Sequence, residues 1–386
     1  MYPRLYKALK NKSFFLFGPR GTGKTTWLKH AFPEAERLDL LHPETARLLL
    51  AAPERLSDMV VNKQPPWVII DEVQKAPGVL DEVHRLIEEK GWKFVLTGSS
   101  ARKLRRGGAN LLAGRAIQKF FYPLTIWELG SDFDLVRALK FGLLPSVWVE
   151  DDPKSYLATY VYTYLKEEVF AEGLTRNLES FSRFLEMMSF SQAQPVNMAS
   201  VARDVGVDAK VVASYLEVLE DLLLAVRLPV FTKRSKRRMS VQPKFLYFDS
   251  GVYRSLRPKG PLDSESEVDG AALETIFFHH LRALGEFVGW EQSNFFWRSS
   301  DKREVDFVSY GPLGLFAFEI KRSSVIRDED LSGLRSFRSD YPMSKCYLFY
   351  GGTQKSVRSG VQIIPFEEGL LNLPQIFGVS ISEKPE

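Results

Sequence analysis

The sequence predicts an α/β protein in three parts: a parallel-sheet domain, a helical middle ending in a winged-helix pattern, and a second, smaller α/β domain. Three observations carry this. Over residues 13–126 short apolar runs alternate with amphipathic segments, the order of strands crossed over by helices. From residue 154 the apolar spacing turns helical. Past residue 267 one helix pattern leads into a run of short strand patterns.

In the first part the strand candidates are residues 14–17, 37–40, 67–70 and 93–97, with helix candidates at 24–31, 43–51 and 77–90 between them. In the middle, periodic apolar stretches fill 160–170 and 180–190, Asn197 is placed to cap a short helix over 198–205, Gly206 makes a turn, and Asp208 opens a second helix reaching about residue 222. A β-like return at 225–231 completes helix, turn, helix and wing. Residues 244–248 read as a strand and 258–267, rich in Pro, Gly, Ser and acid, as a linker. The last part reads as a helix at 270–284, strands at 294–297, 304–309, 315–321 and 346–350, and a helix at 328–337. The expected domains are therefore residues 1–128, a short helical connector over 129–178, the winged-helix region over 179–257, and a C-terminal domain over 268–386.

Composition sets limits. At 386 residues the chain exceeds one ordinary core, and 45% hydrophobic with 26% charged residues is the balance of a globular protein. Cys346 is the single cysteine, which excludes an intramolecular disulfide and a thiolate zinc site, and a reducing cytoplasm fits that usage. No apolar run is long enough to span a membrane. A formal charge of +4 points to no partner by itself, but Lys233, Arg234, Lys236, Arg237 and Arg238 make a local basic cluster, a candidate contact for nucleic-acid phosphates or else a solvated charge run.

Directly after the first apolar strand and before a helix stand Gly18, Pro19, Arg20, Gly21, Thr22, Gly23, Lys24 and Thr25, followed by Thr26. The glycine spacing, the lysine and the hydroxyl follow the phosphate-cradling pattern of nucleoside triphosphate sites: backbone N–H groups at a helix N-terminus face phosphate oxygens, Lys24 reaches the outer phosphates, and Thr25 offers its hydroxyl to Mg²⁺. The apolar strand through Ile69 and Ile70 ends in Asp71, placed for the magnesium shell, and Glu72, placed to polarise a water. The next strand ends in Thr97, Gly98 and Ser99, where either hydroxyl is a candidate to sense the outer phosphate. Arg115 is a candidate transition-state arginine or a surface ion-pair partner, with Arg105 and Arg106 as competitors.

Together these residues resemble the AAA-type branch of P-loop ATPases, and more narrowly a prokaryotic family that joins such a domain to a C-terminal domain of unknown function. The likeness rests on GPRGTGKTT from Gly18, IIDEVQKAP from Ile69, LTGSSARKLRR from Leu96, LLAGRA from Leu111, YPLTIWEL from Tyr122, GLLPSV from Gly142, KFLYFDSG from Lys244, and the runs EVDFV and FEIKRS. It implies ATP binding with Lys24, Thr25, Asp71 and Glu72 at the nucleotide, Arg115 at an arginine-finger position, and assembly into homo-oligomers.

Asp306, twelve intervening residues, then Glu319 and Lys321 also resemble the active-site signature of restriction-endonuclease-like nucleases, with Glu274 on the preceding helix as a further acid. Two carboxylates in such a site hold a second Mg²⁺ or Mn²⁺ against a scissile phosphate while the lysine orients water. Acids and lysines at strand ends are also commonly just solvated. Two functions follow: an ATP-hydrolysing enzyme coupled to DNA, or a nucleotide-dependent regulatory switch whose nuclease-like domain only binds nucleic acid or protein.

Overall fold

The structure is a computed structural model of the chain and describes residues 2–62, 64–98, 104, 112, 114–165, 177–233, 239, 242–258, 260 and 264–381. The chain divides into two compact units. One comprises Tyr6–Pro123 with Asp221–Leu224, the other Met1–Leu5, Leu124–Glu220 and Ala225–Glu386.

Among the described residues the first unit holds five strands, β1 (Ser13–Phe17), β2 (Glu36–Asp39), β3 (Val68–Asp71), β4 (Phe94–Gly98) and β5 (Ala116–Phe120), in the order β2-β3-β4-β1-β5 with every pairing parallel. The helices α1 (Lys24–Ala31), α2 (Pro43–Ala51) and α3 (Val79–Lys90) lie in the connections between strands. Every residue of β1 and β4 is buried, as expected of parallel strands covered on both faces. Helix α3 buries Val79, Leu80, Val83 and Leu86, one stripe at helical spacing, and ends where Gly91 turns to φ 65°. Strand β5 is absent from the sequence expectation because it lies at the sheet edge, half-exposed and broken by Gln118 and Lys119, and so shows no apolar run.

The second unit begins with local joints. Thr125 and Glu128 form a capping box at helix Ile126–Leu129, and the fully buried Glu128 also takes the Arg4 guanidinium at 2.9 Å and the Leu5 N–H at 3.0 Å. Asp249, nearly inaccessible, caps helix Ser250–Leu256 through the N–H groups of Gly251 and Val252 and accepts the Leu143 N–H at 2.7 Å. A Cβ at Gly142 would stand 2.0 Å from the Asp249 carboxylate, so the glycine is what lets the two segments meet. Burial raises the Asp249 carboxyl to about 6 against the pull of its three backbone donors.

Next come α4 (Leu178–Phe190), β6 (Gln194–Pro195), α5 (Met198–Val205), α6 (Ala209–Asp221), β7 (Ala225–Leu228) and β8 (Lys244–Tyr247), the strands forming an antiparallel sheet β6-β8-β7. Asn197 caps α5 through the N–H groups of Ala199 and Ser200, and Gly206 ends it at φ 77°. The basic cluster follows the β return in the sequence. The apolar run of β8 pairs back onto β7, with Val226 beside Leu246, so the cluster falls in the sequence between two paired strands. Lys233 is described there, and Arg234, Lys236, Arg237 and Arg238 lie outside the described residues. Of the helical stretch expected over 160–170, a π-helical turn covers Tyr160–Leu165 and the rest lies outside the described residues.

A six-stranded sheet follows: α7 (Glu265–Val288), β9 (Ser293–Arg298), β10 (Glu304–Gly311), β11 (Gly314–Lys321), α8 (Ser332–Asp340), β12 (Lys345–Tyr350), β13 (Ser356–Arg358) and β14 (Val361–Pro365), ordered β13-β14-β12-β11-β10-β9. Phe277 of α7 packs on Phe307, Phe318 and Phe349, while Phe337 of α8 packs on Trp297. Helix α7 is longer than expected. Ser264 caps it by accepting from the Glu267 N–H, and the acids read as linker form its first turn, where the helix dipole favours them. The helix expected over 328–337 divides into a 3-10 turn, Glu329–Leu331, and α8. Strands β13 and β14 and the short helices Phe366–Leu371 and Leu373–Phe377 were not anticipated.

Two buried histidines of α7 join this helix to residues 124–126. The Ile126 N–H donates to His280 Nε2 at 2.9 Å, so His280 is neutral with its proton on Nδ1, facing the Ile276 carbonyl at 2.8 Å. His279 Nε2 meets the Leu124 carbonyl at 2.8 Å. No described helix is long and apolar enough to cross a membrane.

Candidate nucleotide site and an acidic chamber

The order of the first sheet builds the site. Strand β4 is inserted between β1 and β3, so the ends of three strands stand side by side at one edge: Phe17 beside Gly98, and Leu96 beside Ile70. After β1 the chain turns sharply. Gly21 and Gly23 take φ 81° and 90°, a region costly for residues with a Cβ, and Gly23 caps α1. A Cβ at Gly18 would stand 2.4 Å from the Phe121 carbonyl oxygen, so only glycine lets the loop close against that segment. Phe121 is stacked on Tyr6 at 4.2 Å and lies 5.5 Å from Trp27 of α1, which fixes the loop's base.

Lys24, largely buried, donates to the carbonyls of Gly18 at 2.5 Å and Pro19 at 3.0 Å. Thr22 is fully buried and donates to the Pro19 carbonyl at 2.8 Å. Arg20 and Thr25 are exposed and Thr26 is partly so. Thr25 Oγ1 donates to Asp71 Oδ2 at 3.0 Å, and Thr97 Oγ1 donates to the other oxygen, Oδ1. Asp71 therefore joins hydroxyls from α1 and β4. Ser99, Arg105 and Arg106 lie outside the described residues. Arg115 pairs with Glu88 of α3 and is partly exposed.

Glu72 adopts φ 57° and ψ 44°, left-handed backbone for a residue other than glycine. Its carboxylate accepts from the side-chain amide of the buried Gln74, which packs so closely on β4 that a Cβ at Gly98 would meet Gln74 Oε1 at 2.3 Å. Gln74 was not singled out from the sequence. Its signal was a polar residue in the motif run after Asp71 and Glu72.

A set of loop N–H groups at a helix N-terminus, a buried lysine directed at the loop, and a Thr–Asp pair beside it suits a nucleoside triphosphate. Residues 10–130 match the family model of an AAA domain. The N-terminal part of this chain is an ATP-binding P-loop domain of the AAA type. Residues 132–263 match a domain of unknown function, DUF8612, and residues 269–368 another, DUF4143. An uncharacterized protein of Methanocaldococcus jannaschii is 24% identical over 338 residues, covering 79% of this chain and 74% of its own. An uncharacterized protein of Haemophilus influenzae is 23% identical over 269 residues, covering 65% of this chain and 64% of its own. Among solved structures, the Orc1 protein of Aeropyrum pernix in complex with DNA aligns over 64% of this chain and 86% of its own at 13% identity and a TM-score of 0.25.

Of the residues read as a second site, Asp306, Glu319 and Lys321 lie in the six-stranded sheet and Glu274 lies on α7. The register that pairs Phe307 with Phe318 sets Asp306 beside Glu319 on the neighbouring strand. Between Val305 and Val308 the pairing of β10 with β9 slips, and both valines enter the same core although three positions apart. That bulge takes Asp306 out of simple alternation. Asp306 Oδ2 accepts the Ile320 N–H at 2.8 Å, and Glu319 Oε1 accepts from Lys321 at 2.6 Å. Glu274 of α7 joins Asp306 through a residue the sequence reading passed over: the fully buried ammonium of Lys244 lies 3.0 Å from Glu274, 2.9 Å from Glu304 and 3.3 Å from Asp306. Burial, reinforced by the Asp306 charge, raises both Glu274 and Glu319 to about 8. Among the described residues no group of three or more His, Cys, Asp or Glu side chains is arranged to hold a metal ion.

Proposed function

We propose that the chain is a Mg²⁺-dependent ATP hydrolase of the cytoplasm, associated with DNA through its second unit. The observation that carries the hydrolytic part is the meeting of Thr25, Asp71 and Thr97 beside the loop, with Glu72 in a left-handed turn at the same strand end. Bound Mg²⁺ would supply charge neutralisation at the outer phosphates. Thr25 and Asp71 would hold it, Lys24 would draw the phosphates inward, Glu72 would orient and deprotonate water, and Thr97 would sense the outer phosphate. Arg115 is proposed as a finger acting on a second copy of the chain, for which it must leave Glu88.

The DNA part rests on two features. Helix α4, β6, α5, α6, β7 and β8 follow the winged-helix order, with the basic cluster in the sequence between the last two strands. Helix α7, three strands, α8 and β12 follow the order of the restriction-endonuclease-like fold, with Asp306 on β10 and Glu319 and Lys321 on the neighbouring β11. A second Mg²⁺ or Mn²⁺ belongs to the cutting form of this reading. The non-cutting alternative, a nucleotide switch with a binding domain, is favoured by one observation: Lys244 lies among the acids.

Phosphate release and equilibrium nucleotide binding on two variants test the hydrolytic site. Lys24→Ala is expected to lose ATP binding, whereas Glu72→Gln is expected to keep binding and lose turnover. Hydrolysis at the wild-type rate in Glu72→Gln would remove that residue from the mechanism.

A further inference from the structure

A lysine is almost never fully buried unless its charge is matched, and Lys244 has no accessible surface in its side chain. Its ammonium faces three carboxylates from two elements: Glu274 on α7, and Glu304 and Asp306 on β10. Two aromatic rings complete the enclosure, Phe296 at 5.7 Å and Phe307 at 5.5 Å from the nitrogen. Next to this group, Glu319 Oε2 is buried and has no hydrogen-bond partner among the described residues.

We infer that Lys244 is a built-in cation: its ammonium, paired with Glu274, Glu304 and Asp306, stands in for the divalent ion that the nuclease-like reading assigns to Glu274, Asp306 and Glu319. The inference rests on the nuclease-like reading of this sheet and goes further, since it leaves that site without the bound metal that cleavage needs. Nitrogen–oxygen separations of 2.9 to 3.3 Å fit an ammonium, whereas Mg²⁺ draws its oxygens to about 2.1 Å. Lys244 is also the first residue of β8, a strand otherwise made of Phe245, Leu246 and Tyr247. The chamber's cation is thus supplied by the three-stranded sheet, not by solvent.

The test uses the full-length protein without nucleotide, titrated with MnCl₂ and followed by the electron paramagnetic resonance of free Mn²⁺. Wild type is expected to bind no stoichiometric Mn²⁺. Lys244→Met is expected to take up one Mn²⁺ per chain, roughly tenfold or more tighter than wild type, and Lys244→Met with Asp306→Asn to lose it again. Because Lys244→Met leaves buried acids unmatched, a second variant, Lys244→Met with Glu304→Gln, carries less unmatched charge, and both are refolded with and without Mn²⁺. Folding that depends on Mn²⁺ supports the inference. Wild type binding Mn²⁺ in a manner abolished by Asp306→Asn overturns it, as does a folded variant with no gain, or failure of both variants to fold even with the metal. Fluorescence anisotropy on a DNA duplex separates the underlying reading. Loss of DNA binding by every form, with the Mn²⁺ gain intact, removes the nucleic-acid role and leaves the lysine assignment standing.

Discussion

Glu72 and Gln74 show what a single side chain contributes at the nucleotide site. A non-glycine residue in left-handed backbone costs on the order of 1 kcal/mol or more, and such positions persist where the surroundings hold them. Here the holder is Gln74, its amide donating to the Glu72 carboxylate and its body wedged against Gly98. Gln74→Ala is expected to lower turnover by roughly 10- to 100-fold, the usual effect of losing a partner that orients an active group, while the ATP dissociation constant stays within about twofold. A loss of binding equal to the loss of turnover would instead mark Gln74 as structural. At this scale the sequence was legible where a motif fixes both residue type and spacing, as for Gly18 to Thr25 with Asp71. Gln74 and Lys244 were not legible, because each matters through a contact with a distant segment: Gln74 on β4, Lys244 on α7 and β10.

Among the elements, α7 carries the most varied load. It packs on the six-stranded sheet, lends Glu274 to the chamber and ties residues 124–126 through His279 and His280. Burial lowers the His280 imidazole to about 4, below the ordinary value near 6.5. The unfolded chain therefore binds a proton that the folded chain refuses between these values, so stability falls as pH drops from about 6.5 towards 4, by up to about 3 kcal/mol from this residue. Asp249, raised to about 6, works in the opposite direction and loses its contribution as pH rises through that value. The difference between proteins isolates the histidine: the urea midpoint of wild type minus that of His280→Gln is expected to rise as pH increases from about 4 to 6.5, whatever the other buried groups contribute to both. Parallel profiles would mean that the folded protein protonates His280 readily. Elements were legible where burial is one-sided and periodic, as in α1 and α5, whose bounds match the expected ones. Strands β5 and β13 were not, since an exposed edge strand leaves no apolar record.

For the molecule as a whole, the proposed coupling of ATP to DNA makes charge the measurable quantity. Replacing Lys233, Arg234, Lys236, Arg237 and Arg238 with Gln is expected to weaken duplex binding and to reduce the slope of log affinity against log salt by roughly 0.9 for each lost phosphate contact. Basal ATP hydrolysis without DNA is expected to stay unchanged. An unaltered salt slope would make the cluster a solvated run, and the DNA partner would have to engage another surface. The parallel-sheet domain was legible because strands and helices alternate under a strong motif. The joints of the second unit were not, since Asp249 with Leu143 and Glu128 with Arg4 link segments whose meeting no local pattern announces.

The Glu128 joint bears on the order in which the protein is made. Arg4 and Glu128 are 124 positions apart, and the whole of Tyr6–Pro123 lies between the two ends of that bond. On the ribosome, Arg4 must wait until Glu128 has been synthesised and has left the exit tunnel, by which time almost every residue of the ATP-binding unit is already outside. Domains fold largely as units during synthesis, and closing a long loop costs only slowly more as it lengthens. The nascent chain can therefore finish the nucleotide-binding sheet inside an open loop, and the buried carboxylate then closes it, a sequence of events readable by probing stalled chains of increasing length with protease.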